Sequence, residues 1–298
     1  LRDHPQFGAY IALVCVCILW GTTYLGIRIA VETIPPPTLM CVRYLLSGSL
    51  MLAGAKIKGA TFPRGREIWT TSAYGLLTIG VGTGCLAFAE QWIPSGLSAL
   101  MLGASPFWLV GIEALMPNGT PLHKPTIAAM LVGVAGLALL VGPGLPASTG
   151  GGKILGGFLL LQISGAGWAL GSILQRHQAS RVHPFVSAAV QQVATGIAYL
   201  IPAMLQFHNV HWTARGIEAT LYLAIFGGLL GYSAYVLMMD RLPVAIASIY
   251  TYVNPLVAVL LGWLLYNEPF VRTEAVAMGI IFLGVALVRR AQRVTPEG

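Results

Sequence analysis

The residues of this 298-residue chain that could do chemistry are few, and they suit recognition better than bond-making. Arg43 sits inside an apolar run, about 9 Å from its start at about 1.5 Å per residue, where a charge is costly unless paired or hydrated. It could contact a carboxylate or form a gate pair with Glu90 at the end of the next run; equally, its long stem lets it snorkel outward. Gln191, with Gln192 beside it, supplies amides for a solute or for a neighbouring helix. Pro106 and Pro255 fall near the middle of two further runs and free the carbonyls of Leu102 and Thr251, an interruption tolerated at depth only against protein or a water-filled cavity. They are candidate hinges, and Ser105 and Asn254 immediately before them are candidate lining residues, with a plain packing kink as the competing reading.

Aromatic residues divide by position. Trp20, Tyr24, Trp108, Trp168, Tyr232 and Tyr250 fall within a few turns of mid-run, whereas Trp92, Trp212, Trp263 and Tyr266 lie near ends and suit an interfacial belt. Helix packing and lipid contact compete with site lining for every one of the first group. Glu90, Glu113, Glu218 and Glu274 lie near run ends, and the six histidines occupy terminal or connecting positions. A proton-exchanging carrier would hold a carboxylate at mid-depth, so proton coupling is in doubt. The sequence offers no buried Ser–His pair and no ligand cluster. It predicts no catalytic residue, no metal site, no cofactor and no enzyme.

The elements that position these residues must lie in lipid. A chain that is 56% hydrophobic and 9% charged, with mean hydropathy +0.76, has more apolar surface than a water-soluble fold can hide. The net charge of +7 comes from Lys and Arg in short connections, not from one basic face, so nucleic acid is not an expected partner. The expected partners are a small solute and the bilayer, and a monomer is the expected unit. Cys15, Cys17, Cys41 and Cys85 all lie in apolar runs, which yields neither a disulfide framework nor a metal site. The first run is longer than a signal-peptide core and is expected to stay in the mature protein.

Ten apolar segments, most near the ~20 residues that cross a bilayer, are marked off by Pro, Gly and charge: 8–31, 37–55, 68–92, 95–116, 125–142, 154–175, 184–207, 217–239, 244–266 and 274–288. With ten spans both termini share a side, on which twelve of the seventeen basic residues fall, against four opposite and Arg43 within a span. Both termini are therefore expected in the cytoplasm. The chain also repeats itself. A shift of 148 positions sets Trp20 on Trp168, Arg28 on Arg176, Pro36 on Pro184, Val42 on Val190 and Gly48 on Gly196. Pro94 and Pro106 recur as Pro243 and Pro255, and Thr120-Pro121 as Glu268-Pro269. Five spans per copy is an odd number, so the second copy enters from the other face. The predicted fold is an all-α membrane protein of ten transmembrane helices in two inverted five-helix repeats, residues 1–146 and 147–298, joined by a linker at 143–152. Such halves can expose one central site to either side in turn.

Leu19-Trp20-Gly21, Arg43 opening the second span and Asn267-Glu268-Pro269 before the last resemble the drug/metabolite transporter superfamily, in its ten-helix EamA branch. Within it the chain looks most like the YddG-type exporters of aromatic and other bulky amino acids. The resemblance implies a basket of helices around a central cavity lined by spans one to four and six to nine, with the fifth and tenth peripheral. It implies an alternating-access exporter in the inner membrane, with efflux of drugs or other metabolites as the alternative. An amino-acid substrate would need dipoles or charge for its head and aromatic surface for its tail, for which Trp108 and Trp168 are the strongest candidates. The central glutamate in the first helix of the smaller four-helix relatives has no counterpart here.

Overall fold

The structure, a computed structural model, describes residues 6–117, 119, 121–141, 151–178, 182–247 and 249–294. Arg2, Thr120, Arg181 and residues 143–150 of the expected linker lie outside them. Every regular element among the described residues is helical. The first two helices are Phe7–Ala30 and Pro36–Ile57. The third, Arg66–Ala89, and the eighth, Ala214–Arg241, each change to π-helix in mid-course, over Leu76–Thr83 and Leu223–Leu230. The fourth, Ser95–Leu115, is broken between Ser95–Leu102 and Ser105–Leu115. The fifth is Lys124–Val141, the sixth Gly151–His177 and the seventh Pro184–Leu205. The ninth comprises Val244–Ala247 and Tyr250–Tyr266, and the tenth is Arg272–Val294.

Prolines start several of these helices where a missing amide does no harm: Pro36 and Pro184 lie in the first turn. Seven of the helices are long and apolar enough to cross a membrane, and Lys124–Leu140 and Tyr250–Tyr266 are shorter apolar helices. Large side chains face outward where water would penalise them, with Leu115 86% and Ile201 70% exposed. That surface belongs against lipid tails. The tenth helix outruns its predicted span of 274–288, because the arginines that end an apolar run are themselves good helix formers.

The packing has a pattern. The first helix lies on the ninth and the eighth, while the sixth lies on the fourth and the third. The second pairs with the seventh, where Ser47 donates to Gln192 Oε1 and Gln192 Nε2 donates to Met51 Sδ at 3.1 Å. The fifth and tenth are chiefly each other's partners. The first, second, third, fourth, sixth, eighth and ninth surround a central space, and the seventh, expected to line it, does not.

One clasp joins the fourth helix to the ninth. Asn267 ends the ninth helix in the left-handed region, φ 53°, so that Glu268 N donates to Gly262 O at 2.9 Å. The turn carries the Glu268 carboxylate back over the start of the fourth helix. There it accepts from Ser95 N at 2.7 Å, Ser95 Oγ at 3.0 Å and Gly96 N at 3.0 Å. These are amides that a helix start leaves without internal partners, and a negative charge there also suits the helix dipole. Gly262 leaves the room, since a Cβ would come within 2.3 Å of Glu268 Oε2. Glu268→Ala should lower stability in detergent by about 1–3 kcal/mol, the cost of orphaning buried donors, read as a lower thermal unfolding midpoint. Glu268→Gln, which keeps one acceptor oxygen, should fall between the two.

Candidate functional site

A cavity of about 160 Å³ lies between the first, second, third, fourth, sixth, eighth and ninth helices. At roughly 10–15 Å³ per water, it has room for on the order of ten waters, or for a solute of similar heavy-atom count. Trp20, Tyr24, Arg43, Trp168, Tyr232 and Tyr250 stand on its wall. So do Ser105 and Pro106 from the fourth helix and Asn254 and Pro255 from the ninth. Trp108, Gln191 and Glu90 are not among its lining residues.

Trp20 organises the aromatic side. Its indole Nε1 donates to Gly227 O at 3.2 Å. Its ring stacks on Tyr235, with centroids 5.0 Å apart and planes 26° apart, and meets Tyr232 at 5.2 Å, Tyr250 at 5.6 Å and Trp168 at 6.1 Å edge-on. These are the arrangements that aromatic quadrupoles favour. The carbonyl belongs to a π-helical stretch, where the backbone departs from the i→i−4 ladder. The other π stretch is used in the same way: Gly80 O accepts from Tyr199 Oη at 2.9 Å, and Gly82 O from Ser164 Oγ at 2.6 Å. Close approach requires glycine beside each acceptor. A Cβ on Gly231 would lie 2.6 Å from Trp20 Nε1, and one on Gly84 would lie 2.1 Å from Tyr199 Oη.

The two prolines act differently. Ser105 Oγ donates to Leu102 O at 2.5 Å, which satisfies the carbonyl that Pro106 frees and ties the serine to the backbone where the fourth helix breaks. The helix around Pro255 runs on unbroken. In the amide orientation that suits its neighbours, Asn254 Nδ2 donates to Tyr250 O at 3.1 Å and Cys17 O at 3.0 Å, linking the ninth helix to the first.

Arg43 is 4% exposed and lies over the Tyr44 ring, 4.8 Å from its centroid. It does not snorkel. It makes no ion pair with Glu90 either: Glu90 is wholly buried, both its carboxylate oxygens lack a hydrogen-bond partner among the described residues, and Arg28 Nη1 donates to its backbone carbonyl. An ion pair joins Arg176 to Glu113 at 2.6 Å, in an exposed position. Trp108 turns its indole to Gln162 Oε1 at 3.1 Å. Gln191 packs at the third helix, where a Cβ on Gly75 would lie 2.6 Å from its Cα.

Tyr235, Tyr44, Thr23 and Ser164 were not singled out from the sequence. Tyr235 stacks on Trp20, and the other three line the cavity. Tyr232 and Tyr235 are three apart and so share a helix face, a signal that could have found the second from the first.

A bundle of membrane helices around a solute-sized cavity is the form of a membrane transporter. The sequence pattern of the EamA-like transporter family matches residues 7–142 and again residues 155–290. The uncharacterized inner membrane transporter YedA of Escherichia coli strain K12 is 33% identical over 298 residues, covering 98% of this chain and 93% of that protein. The uncharacterized transporter YvbV of Bacillus subtilis strain 168 is 23% identical over 312 residues, covering 100% and 98%. Protein PecM of Dickeya dadantii strain 3937 is 25% identical over 272 residues, covering 91% and 88%. A protein crystal structure superposes on 95% of this chain and 98% of its own, with TM-score 0.67 and 22% identity, which shows the shared fold. The chain belongs to the EamA-like transporter family. Family and relatives point to transport rather than catalysis.

Trp20→Phe keeps the ring but leaves Gly227 O without its donor. It should cost about 1 kcal/mol, the scale of hydrogen bonds between membrane helices. Gly231→Ala, which displaces the indole itself, should cost more and should also change the near-ultraviolet circular dichroism of the aromatic cluster.

Proposed function

We propose that the chain is an alternating-access carrier that exports amino acids, aromatic or other bulky neutral ones, across the cytoplasmic membrane, in the manner of the YddG-type exporters. The observation that carries this reading is the cavity wall. Trp20, Trp168, Tyr232 and Tyr250 provide apolar and quadrupolar surface for a side chain, and Arg43 provides charge for a head group. Ligand sites commonly combine such surfaces: mostly apolar, with a few placed polar groups.

The architecture that goes with it is ten transmembrane helices in two inverted five-helix repeats, residues 1–146 and 147–298. Three observations support it. The family pattern matches the chain twice. The π stretches Leu76–Thr83 and Leu223–Leu230 begin 147 residues apart. The packing pairs map onto one another when the first helix is equated with the sixth and the third with the eighth. The excess of basic residues on one side supports cytoplasmic termini, and the name of the Escherichia coli relative supports an inner-membrane address.

Purified protein in liposomes tests the reading. Counterflow of labelled phenylalanine, competed by tryptophan and not by lipophilic cations, is the expected result; competition by lipophilic cations would favour drug efflux instead. Trp168→Ala should slow transport about tenfold per folded molecule, the ratio equivalent to about 1.4 kcal/mol, with expression little changed. An unchanged rate per folded molecule would remove Trp168 from the site.

A further inference from the structure

The charge on the cavity wall is one-sided. Among the residues that line it, Arg43 is the one cation and none is Asp or Glu. A guanidinium stays charged, and burying one without a counter-charge costs several kcal/mol. Arg43 Nε and Nη1 are buried and meet no acceptor among the described residues. Nη2 lies against Gly227, where a Cβ would come within 3.0 Å, so the seat fits the guanidinium closely.

Two buried carboxylates bear on this charge. Glu90 is in electrostatic reach of Arg43, and also of Arg28, whose Nη1 donates to the Glu90 backbone carbonyl. Arg28 and Arg43 thus both face the one Glu90 carboxylate, which bonds to neither, so the cations on this side of the cavity outnumber it. Glu268 is clasped by the start of the fourth helix.

We infer that the cavity selects its solute by the acid end alone, so that its substrate class is small carboxylates with an aromatic body, with or without an α-amino group, and amines of the same shape are refused. This rests on the reading of the cavity as the solute site. A carboxylate in the cavity supplies the counter-charge that no other lining residue gives the Arg43 guanidinium. An ammonium meets only neutral acceptors and ring faces, and one face of Trp20 is already occupied by Tyr235.

Three probes with one phenyl body separate the possibilities: L-phenylalanine, 3-phenylpropionate and 2-phenylethylamine. Binding to the purified protein is measured by titration calorimetry, and each unlabelled probe is used to compete with labelled phenylalanine in liposomes. The acid should bind and compete at least as well as phenylalanine. The amine should be weaker by about tenfold or more, the ratio set by one hydrogen bond to a charged group. Arg43→Gln should abolish the difference between acid and amine, and Arg43→Lys should keep most of it. Equal binding of amine and acid by the unmodified protein overturns the inference and leaves the carrier reading standing if phenylalanine still exchanges. Binding in the expected order without flux upholds the inference and overturns the carrier reading. No binding of any probe overturns both.

Discussion

The arrangement of this protein depends on a tryptophan hydrogen-bonded to a backbone carbonyl. Trp20 can sit deep in the bundle because its one polar atom is satisfied by Gly227 O, a carbonyl of the π-helical stretch Leu223–Leu230 in the eighth helix. Gly231 completes the seat by its lack of a side chain. Once the indole is fixed, Tyr235 stacks on it and Tyr232, Tyr250 and Trp168 meet its edges, so residues from three helices besides its own take their positions from one bond. In lipid there is little water to replace a lost partner, which makes such satisfaction a condition of burial.

The same economy of polar groups recurs through the bundle. The carbonyl freed by Pro106 is taken by Ser105, that of Gly80 by Tyr199 and that of Gly82 by Ser164. Each of these carbonyls, beside a proline or within a π stretch, takes a hydroxyl or ring N–H from within the protein. Against that background Arg43 and Glu90 stand out, since both are buried and both keep polar atoms without a partner among the described residues. A fold that provides so consistently for its backbone has left those side chains to electrostatics at longer range.

Much of this was legible in the sequence. Mid-run position picks out Trp20, Tyr24, Trp168, Tyr232 and Tyr250, which the structure sets on the cavity wall, but it picks out Trp108 as well, because depth alone does not say which way a ring points. Arg43 stood out because a charge inside an apolar run is costly. Trp108 was harder to place: it follows the break at Gly103 and Ala104, and a break resets the direction that a helix face takes. Gln191 was hidden for another reason, since only the approach of Gly75 shows that the third helix covers it. The π stretches left no signature in an apolar pattern, as one extra residue in a turn changes neither composition nor hydropathy. The partner of Glu268 was equally out of reach, 173 residues away in the chain at Ser95.

Glu268 has a mechanical consequence. Parting the fourth and ninth helices at its end of the bundle means breaking a bond to each of three donors, Ser95 N, Ser95 Oγ and Gly96 N. At the far ends of the same two helices no comparable tie exists among the described residues, and the position 148 residues before Glu268 holds Thr120, which has no carboxylate. Among the described residues the two ends of this helix pair thus differ in their resistance to separation: one is bolted through a buried carboxylate, and the other has no bond of that kind.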